Sequence, residues 1–492
     1  MLKPQMRVMA FTLGTVFALG NGCVTSVNAL YRQTADSDRS PIITPIESCP
    51  VLAGGPAGAK PLPTAPQVAH GRAELTAYIH FGLNTFDGTE YGNSTLDTAA
   101  LFDPTNLDVN QWVRALKDAG FREAMLVAKH NSGFCLWPSA YTDYSVKSSP
   151  WKNGQGDLVK DFADAMRAAG MRIGIYLAPA DQHFPSSSPD YEAYFKHQLT
   201  ELLTNYGPLH EIYLTGSQSL TSLDWKGIAA LAKELQPNIL VWMGPEIATT
   251  GADVRYIGDQ SGRASRSTSS IADVPNGGPA NVWYPADAPL SDRGSSWFWH
   301  PDGTVISLDS LKTAYFNTVG MNSTLILNVP PTNVGQFDTP DINLLQQFGS
   351  WYAALYEVNL LRNQPATADS TWASSGFEAP KALDDDVCTY WAAAGGRTTA
   401  RLEVNPASPI LFQRISIREA IELGERSTGY HIELKQNGVW NTAPKDVFGA
   451  QIQGTIIGER QLWQLSSTNA EAIALVIDSA RDVPVIAEFS VY

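Results

Sequence analysis

The sequence predicts an α/β chain, a (β/α)₈ TIM-like barrel followed by a C-terminal β-sandwich, and three observations predict it. Short apolar strands alternate with helical stretches of 10 to 16 residues over roughly 290 residues, the pattern of a parallel sheet with crossover helices. No Gly-x-Gly-x-x-Gly fingerprint opens any of those helices, which favours a closed barrel over an open doubly wound sheet. After Arg362 the helical periodicity stops and short runs of alternating polarity take over.

The chain begins with a segment that reads as processing rather than structure. Lys3 and Arg7 give a positive start, Val8 to Leu19 is apolar but too short to span a bilayer, and Val27-Asn28-Ala29 fits a small-residue cleavage site. Residues 1–29 are therefore expected to be a signal peptide, and the protein to be secreted or periplasmic. Lipid attachment at Cys23 is disfavoured by the Gly20-Asn21-Gly22 that precedes it. Residues 30–69, rich in Pro, Ala and Gly, read as a linker or leading arm.

The barrel is expected over residues 70–362. Leu75 to Phe81 is its first strand, and Val109 to Ala119 a helix with apolar residues at helical spacing. Glu123 to Ala128 is strand, Asp157 to Ala169 a helix ended by Gly170, and Arg172 to Ala178 strand again. Tyr191 to Tyr206 is helix, Glu211 to Leu214 strand, Trp225 to Leu235 helix and Ile239 to Trp242 strand. Leu308 to Thr318 is helix, Thr324 to Leu327 strand, and Asp341 to Leu360 a closing helix. The sandwich, residues 363–492, shows alternating runs at Arg401 to Val404, Gln413 to Glu419, Tyr430 to Lys435, Ala472 to Ile477 and Ala487 to Tyr492. The composition break implies that residues 370–492 fold alone.

Composition excludes some classes of function. A net charge of −15 with no basic patch argues against a nucleic-acid partner. No apolar run after the leader reaches membrane length. The 13 Trp and 18 Tyr in a chain that is 44% hydrophobic suit sugar-facing surfaces. With Cys23 removed, Cys49, Cys135 and Cys388 allow at most one disulfide, and Cys135 in its Gly-Phe-Cys-Leu-Trp setting is expected to be a buried free thiol. Neither the cysteines nor the eight histidines show metal-ligand spacing, so no metal or cofactor is expected in the barrel.

Several stretches, in order, resemble the α-L-fucosidases of glycoside hydrolase family 29. Ile79-His80-Phe81-Gly82-Leu83-Asn84-Thr85-Phe86 looks like that family's first-strand signature, whose His contacts the sugar. Ala128-Lys129-His130 with Gly133-Phe134-Cys135-Leu136-Trp137-Pro138 is its best single marker, and Tyr141-Thr142-Asp143-Tyr144-Ser145-Val146 follows it. Leu325-Ile326-Leu327-Asn328-Val329-Pro330-Pro331 matches the last barrel strand. The resemblance implies a retaining glycosidase acting on terminal α-L-fucose of glycans or oligosaccharides, with sugar contacts at His80, Glu90, Tyr91, Lys129, His130, Asn131, Asp181, Arg293, Trp297 and His300.

The resemblance also implies two carboxyl groups roughly 5–5.5 Å apart, one attacking and one cycling a proton. Here the family's Trp-Phe-Asp-Gly becomes Tyr213-Leu214-Thr215-Gly216, so a threonine holds the nucleophile position. The Gly-Asn-Glu-like turn becomes Gly258-Asp259-Gln260, so an amide holds the acid/base position and Asp259 is a candidate substitute acid. Thr215 carries no charge to meet an oxocarbenium ion, and Gln260 cannot protonate a leaving oxygen. Glu246 and Asp224 are further candidate carboxylates near the catalytic face, whereas Glu211 opens its strand at the opposite end and reads as structural. Lys129-His130 is followed by Asn131-Ser132 where the family has His-Asp, and Pro-Trp-Asp becomes Pro179-Ala180-Asp181.

Ala382-Leu383-Asp384-Asp385-Asp386 with Thr389-Tyr390-Trp391 resembles discoidin-like (coagulation factor 5/8 C-type) modules, which implies a carbohydrate-binding sandwich. Asp384 and Asp386 are candidate ligands of a structural calcium ion; the competing reading is a stapled loop with Trp391 in the core. Two functions follow. One is a secreted fucosidase with an altered carboxylate pair, and the other a non-catalytic descendant that binds fucosylated glycans.

Overall fold

The computed structural model describes residues 47–92, 98–185, 187–215 and 222–492. The expected signal peptide, Cys23, the start of the leading arm and Gly216 lie outside the described residues.

The barrel begins earlier than expected. Helix α1 (Ala65–Ala73) opens with a capping box between Thr64 and Gln67, with proline in its first turn, so a boundary at residue 70 cuts a helix. The eight parallel barrel strands are β1 (Leu75–Ile79), β2 (Glu123–Lys129), β3 (Arg172–Leu177), β4 (Glu211–Leu214), β5 (Leu240–Met243), β6 (Arg255–Tyr256), β9 (Ala286–Ser291) and β10 (Thr324–Asn328). A small hairpin, β7 (Ile271–Ala272) with β8 (Val282–Trp283), lies between β6 and β9. The sheet runs β5-β4-β3-β2-β1-β10-β9-β6, and a bridge from Trp242 on β5 to Val254, just before β6, joins its two ends.

Local chemistry sets the helices on the barrel wall: α2 (Leu83–Asp87), α3 (Val109–Asp118), α4 (Leu158–Ala169), α5 (Tyr191–Asn205), α6 (Trp225–Leu235), α7 (Leu308–Asn317) and α8 (Thr339–Leu355). Asp108, Asp157, Asp224 and Ser307 each accept a backbone N–H at the start of α3, α4, α6 and α7, each worth about 1 kcal/mol. Helix α3 then buries Val109, Trp112, Val113 and Leu116 on one face. Gly170 ends α4 in the left-handed conformation, and α8 stops at Leu355 rather than Leu360.

The C-terminal residues form two antiparallel sheets. One runs β11 (Ala366–Ala368), β13 (Ala400–Val404), β19 (Ala472–Ala480), β15 (Ser427–Gln436), β16 (Val439–Thr442), with β17 (Gln453–Gly454) beside β15. The other runs β12 (Trp391–Ala392), β20 (Val485–Val491), β14 (Ile410–Glu419), β18 (Gln461–Ala470). Trp391, Trp463, Phe412 and Phe489 fill the space between them, so Trp391 is core. Cys49 and Cys388 form a disulfide that ties the leading arm to this sandwich, and Cys135 is a buried free thiol whose pKa burial pushes up.

The sandwich is bonded firmly to the barrel. Glu74, between α1 and β1, accepts from Arg418 and Arg460 of the sandwich and from the hydroxyls of Tyr315 and Tyr352. Arg266 lies over the Trp463 ring at 3.6 Å. Among the described residues no helix is long and apolar enough to cross a membrane.

Candidate active site

Strand alternation decides what faces the barrel interior. Tyr78, Tyr176, Tyr213 and Trp242 stack inside it, with Tyr213 and Trp242 parallel at 4.4 Å. The same period carries Glu211, Tyr213 and Thr215 along β4 and leads from Tyr78 to His80 on β1. On β2 the period breaks: the register against β3 shifts between Val127 and Lys129. Such a bulge re-aims the side chains that follow it. Lys129 leaves the interior, and His130 joins the aromatic group instead.

A ring of side chains gathers at the C-terminal mouth. His80 lies 5.7 Å from His130, 5.2 Å from Trp297 and 6.1 Å from Tyr176, centroid to centroid. His130 also meets Tyr176, Phe298 and the exposed Tyr91. Glu90 accepts from the Trp297 backbone N–H at 2.9 Å and is 2.9 Å from His300 Nε2, so one carboxylate fixes two mouth residues. Asn328 donates to the Trp297 carbonyl, and its Oδ1 is 2.7 Å from His80 Nδ1, which must then be the protonated ring nitrogen. Burial lowers the His80 pKa to about 4 despite the Asn328 bond. Burial and then the His80 charge lower that of His130 to about 3. Both imidazoles are neutral at pH 7, and His80, whose proton is held by Asn328, presents Nε2 as an acceptor for a sugar hydroxyl.

Thr215 and Gln260, which the family resemblance aligns with the two catalytic positions, carry no charge. Thr215 follows β4, and its carbonyl accepts from the Tyr176 hydroxyl at 2.9 Å. Gln260 and Asp259 are exposed, with positive φ of 61° and 48°. Gln260 Oε1 accepts from Trp297 Nε1 at 3.3 Å, so the amide stands at the rim of the same mouth. Burial and then Asp259 raise the pKa of Tyr256, but Asp259 has no bond to the mouth residues among those described. Glu246 is different. A β-carbon on Gly244 would lie 2.5 Å from its Oε1 and 2.7 Å from Thr215 Oγ1, so the two side chains converge there. Glu246 also raises the Tyr176 pKa, after burial.

Other candidates stand outside this group. Lys129, fully buried, bonds Asp181 at 3.2 Å and Gln198 of α5 at 2.8 Å, behind the barrel wall. Asp181 also accepts from the N–H groups of His183 and Phe184 and from Tyr194, which leaves it a turn-organising carboxylate rather than a sugar contact. Arg293 is buried against Asp341 of α8 and the Gly303 carbonyl. The Asn131 carbonyl accepts from Gln182 N–H. Asp224 is the cap of α6, and Glu211 is buried at the barrel's far end. In the sandwich, Asp384 accepts from the Asp386 N–H and Thr389 and pairs with Lys381, while Asp386 accepts from the Cys388 N–H. That bonding staples a loop. Tyr176, Phe298 and Asn328 are mouth residues that motif reading passed over, although Asn328 lies inside the quoted last-strand motif.

Comparisons with known proteins place the chain in a family. The family model described as alpha-L-fucosidase matches residues 75–356. The chain is 32% identical over 481 residues to alpha-L-fucosidase 1 of Arabidopsis thaliana, covering 93% of this chain and 90% of the relative. It superposes with a TM-score of 0.81 on a family 29 fucosidase of Ruminococcus gnavus solved in complex with fucose. That match has 28% identity and covers 90% of this chain and 96% of the other.

Proposed function

Because this chain belongs to the α-L-fucosidase family of glycoside hydrolases, we propose that it is an exported protein directed at terminal α-L-fucose on glycans or oligosaccharides, which it takes into the barrel mouth. One observation carries this reading: His80, His130, Glu90, Trp297 and His300 converge on one aromatic-walled mouth. Aromatic faces pack against a sugar's C–H surface, and neutral imidazoles satisfy its hydroxyls. Hydrolysis through this mouth needs an anion beside the anomeric carbon, and the carboxylate that converges with Thr215 is Glu246. The two antiparallel sheets after the barrel support a discoidin-like module that holds the glycan's remainder.

A second reading has its own observation. Neither Thr215 nor Gln260, the residues aligned by resemblance with the two catalytic positions, can ionise, which favours a fucose-binding descendant without turnover. Titration calorimetry with fucose, paired with release of an aryl aglycone from an α-L-fucoside, separates the two. Binding heat lost in His130→Ala supports the pocket, and turnover by the parent selects the hydrolase. Binding without turnover selects the lectin-like reading, and no heat in the parent removes fucose from both. Export is checked by the mass of the mature N-terminus, expected after Ala29.

A further inference from the structure

The end of the barrel opposite the mouth holds a second group of polar side chains, buried more deeply than the first. Glu123 opens β2, Arg172 opens β3 and Glu211 opens β4, with His210 just before it. His70 reaches them from α1 and Asp287 from β9. Spacing along the chain cannot reveal this group, because its members come from separate elements of the barrel.

The bonding within it is one-sided. Asp287 can only accept, so His70 Nε2, 2.7 Å from Asp287 Oδ1, is the protonated nitrogen, and Tyr213 donates to the other Asp287 oxygen at 2.6 Å. His70 Nδ1 faces Glu211 Oε2 at 3.7 Å, beyond hydrogen-bond reach. Arg172 donates to Glu123 Oε2 at 2.8 Å. Glu123 Oε1, both Glu211 oxygens, His70 Nδ1 and His210 Nε2 are buried and have no hydrogen-bond partner. The side chains of His70, Glu123 and Glu211 are wholly inaccessible, and that of His210 is 12% exposed. Unbonded acceptors at such depth are costly unless something satisfies them.

We propose that this end of the barrel is a structural divalent-metal site, best matched to zinc, with His70, His210 and Glu123 as ligands and Glu211 beside them. One ligand atom from each of His70, Glu123 and His210 lies within 4.8 Å of the others, and the same holds for His70, Glu211 and Asp287. Two imidazoles with carboxylates are a zinc-type donor set. A divalent ion would take up buried ligand atoms that have no hydrogen-bond partner there. Asp287 and Tyr213 provide the outer support such a ligand needs, fixing the His70 ring so that Nδ1 points inward. The site faces away from the sugar mouth, on the barrel face associated with stability. Its role is therefore to hold the strand starts together, independent of whether Glu246 supports hydrolysis.

The test uses the full chain. Protein produced in zinc-supplemented medium and then freed of loose metal is expected to carry close to one zinc per chain by elemental analysis. A content below about a tenth of an equivalent overturns the proposal. His210→Gln is expected to lose the metal, and Asp287→Asn to weaken it by roughly 10–100-fold. Metal retained in full by His210→Gln overturns the ligand assignment. Should that variant fail to fold, the parent is refolded from urea with cobalt(II) chloride alone. Visible d–d absorption of low-coordinate cobalt is expected, and its absence overturns the site. Removing zinc is expected to lower Tm by roughly 5 °C or more while leaving fucose affinity at 25 °C unchanged.

Discussion

Glu246 and Thr215 point at the same place. A β-carbon on Gly244 would stand 2.5 Å from the Glu246 carboxylate and 2.7 Å from the Thr215 hydroxyl. The glycine leaves room for a glutamate carried on the turn after β5 to reach the Thr215 hydroxyl at the end of β4. The turn itself is fixed, since Asn276 donates to the Pro245 and Ala248 carbonyls at 3.1 and 3.0 Å, and Ile247 and Ala248 are buried.

That convergence gives the first prediction. If the parent turns over an aryl α-L-fucoside, Glu246→Gln lowers kcat/KM by about 10²–10³-fold, the scale for removing one preorganised electrostatic group. Gly244→Ala lowers it as well, by pushing the carboxylate aside. Turnover unchanged in Glu246→Gln would show that another group carries the chemistry.

The acid side behaves differently with different leaving groups. Aryl fucosides need little protonation, so Thr215→Asp is expected to raise their hydrolysis more than Gln260→Glu does. For natural glycans, adding Gln260→Glu contributes about 10²–10⁴-fold, the worth of general acid catalysis. In Thr215→Asp the new carboxylate faces Glu246, so one of the two is expected to titrate abnormally high. Comparing kcat/KM on both substrates, across pH, for single and double variants checks this. Equal gains on both substrates from Gln260→Glu would count against its placement at the leaving group.

Much of the barrel was legible because its strands and helices differ in hydrophobic period. From Leu75 to Leu235 the expected elements lie within a few residues of those observed. Strands β6 and β9 were missed for physical reasons: one spans only Arg255–Tyr256, and the other carries Asp287 and Pro289 in a six-residue run. Position follows the strand period at His80, which reaches the barrel mouth, and departs from it at Lys129, where a bulge turns the side chain toward α5. Asp181 and Arg293 look like sugar contacts in sequence, yet each is held by a buried partner. The far-end cluster left no mark in the sequence, because its members meet only when the barrel closes.

Acid should destabilise the mouth. The His80 pKa is lowered from 6.5 to about 4, so below pH 6.5 the unfolded chain binds a proton that the folded chain refuses. The stability from a neutral His80 is whole above about pH 6.5 and is lost progressively as pH falls toward 4, roughly 1–2 kcal/mol by pH 5. Urea unfolding of the parent and of His80→Gln at pH 7 and pH 5 should show a smaller loss in the variant. Parallel losses would place the acid sensitivity elsewhere.

The last prediction concerns the junction of barrel and sandwich. Composition suggests that residues 370–492 fold alone, but the structure puts charge across the boundary in a place water does not reach. Arg460, with a side chain 6% exposed, has Glu74 as its carboxylate partner at 3.1 Å, and Glu74 is itself 4% exposed. Arg418, 1% exposed, shares Glu74 with Glu459 and Glu488, so it keeps partners that Arg460 lacks. Removing one member of a buried pair strands the other, at a cost of about 3–5 kcal/mol. Glu74→Gln is therefore expected to lower stability by that order, and the double variant Glu74→Gln with Arg460→Met to recover part of it, since the unpaired guanidinium is then gone. The parent should unfold in one transition, with barrel and sandwich tryptophans changing together, and Glu74→Gln should separate them. Two transitions already present in the parent, unaltered by Glu74→Gln, would show that the two parts fold independently and that the junction adds nothing to their stability.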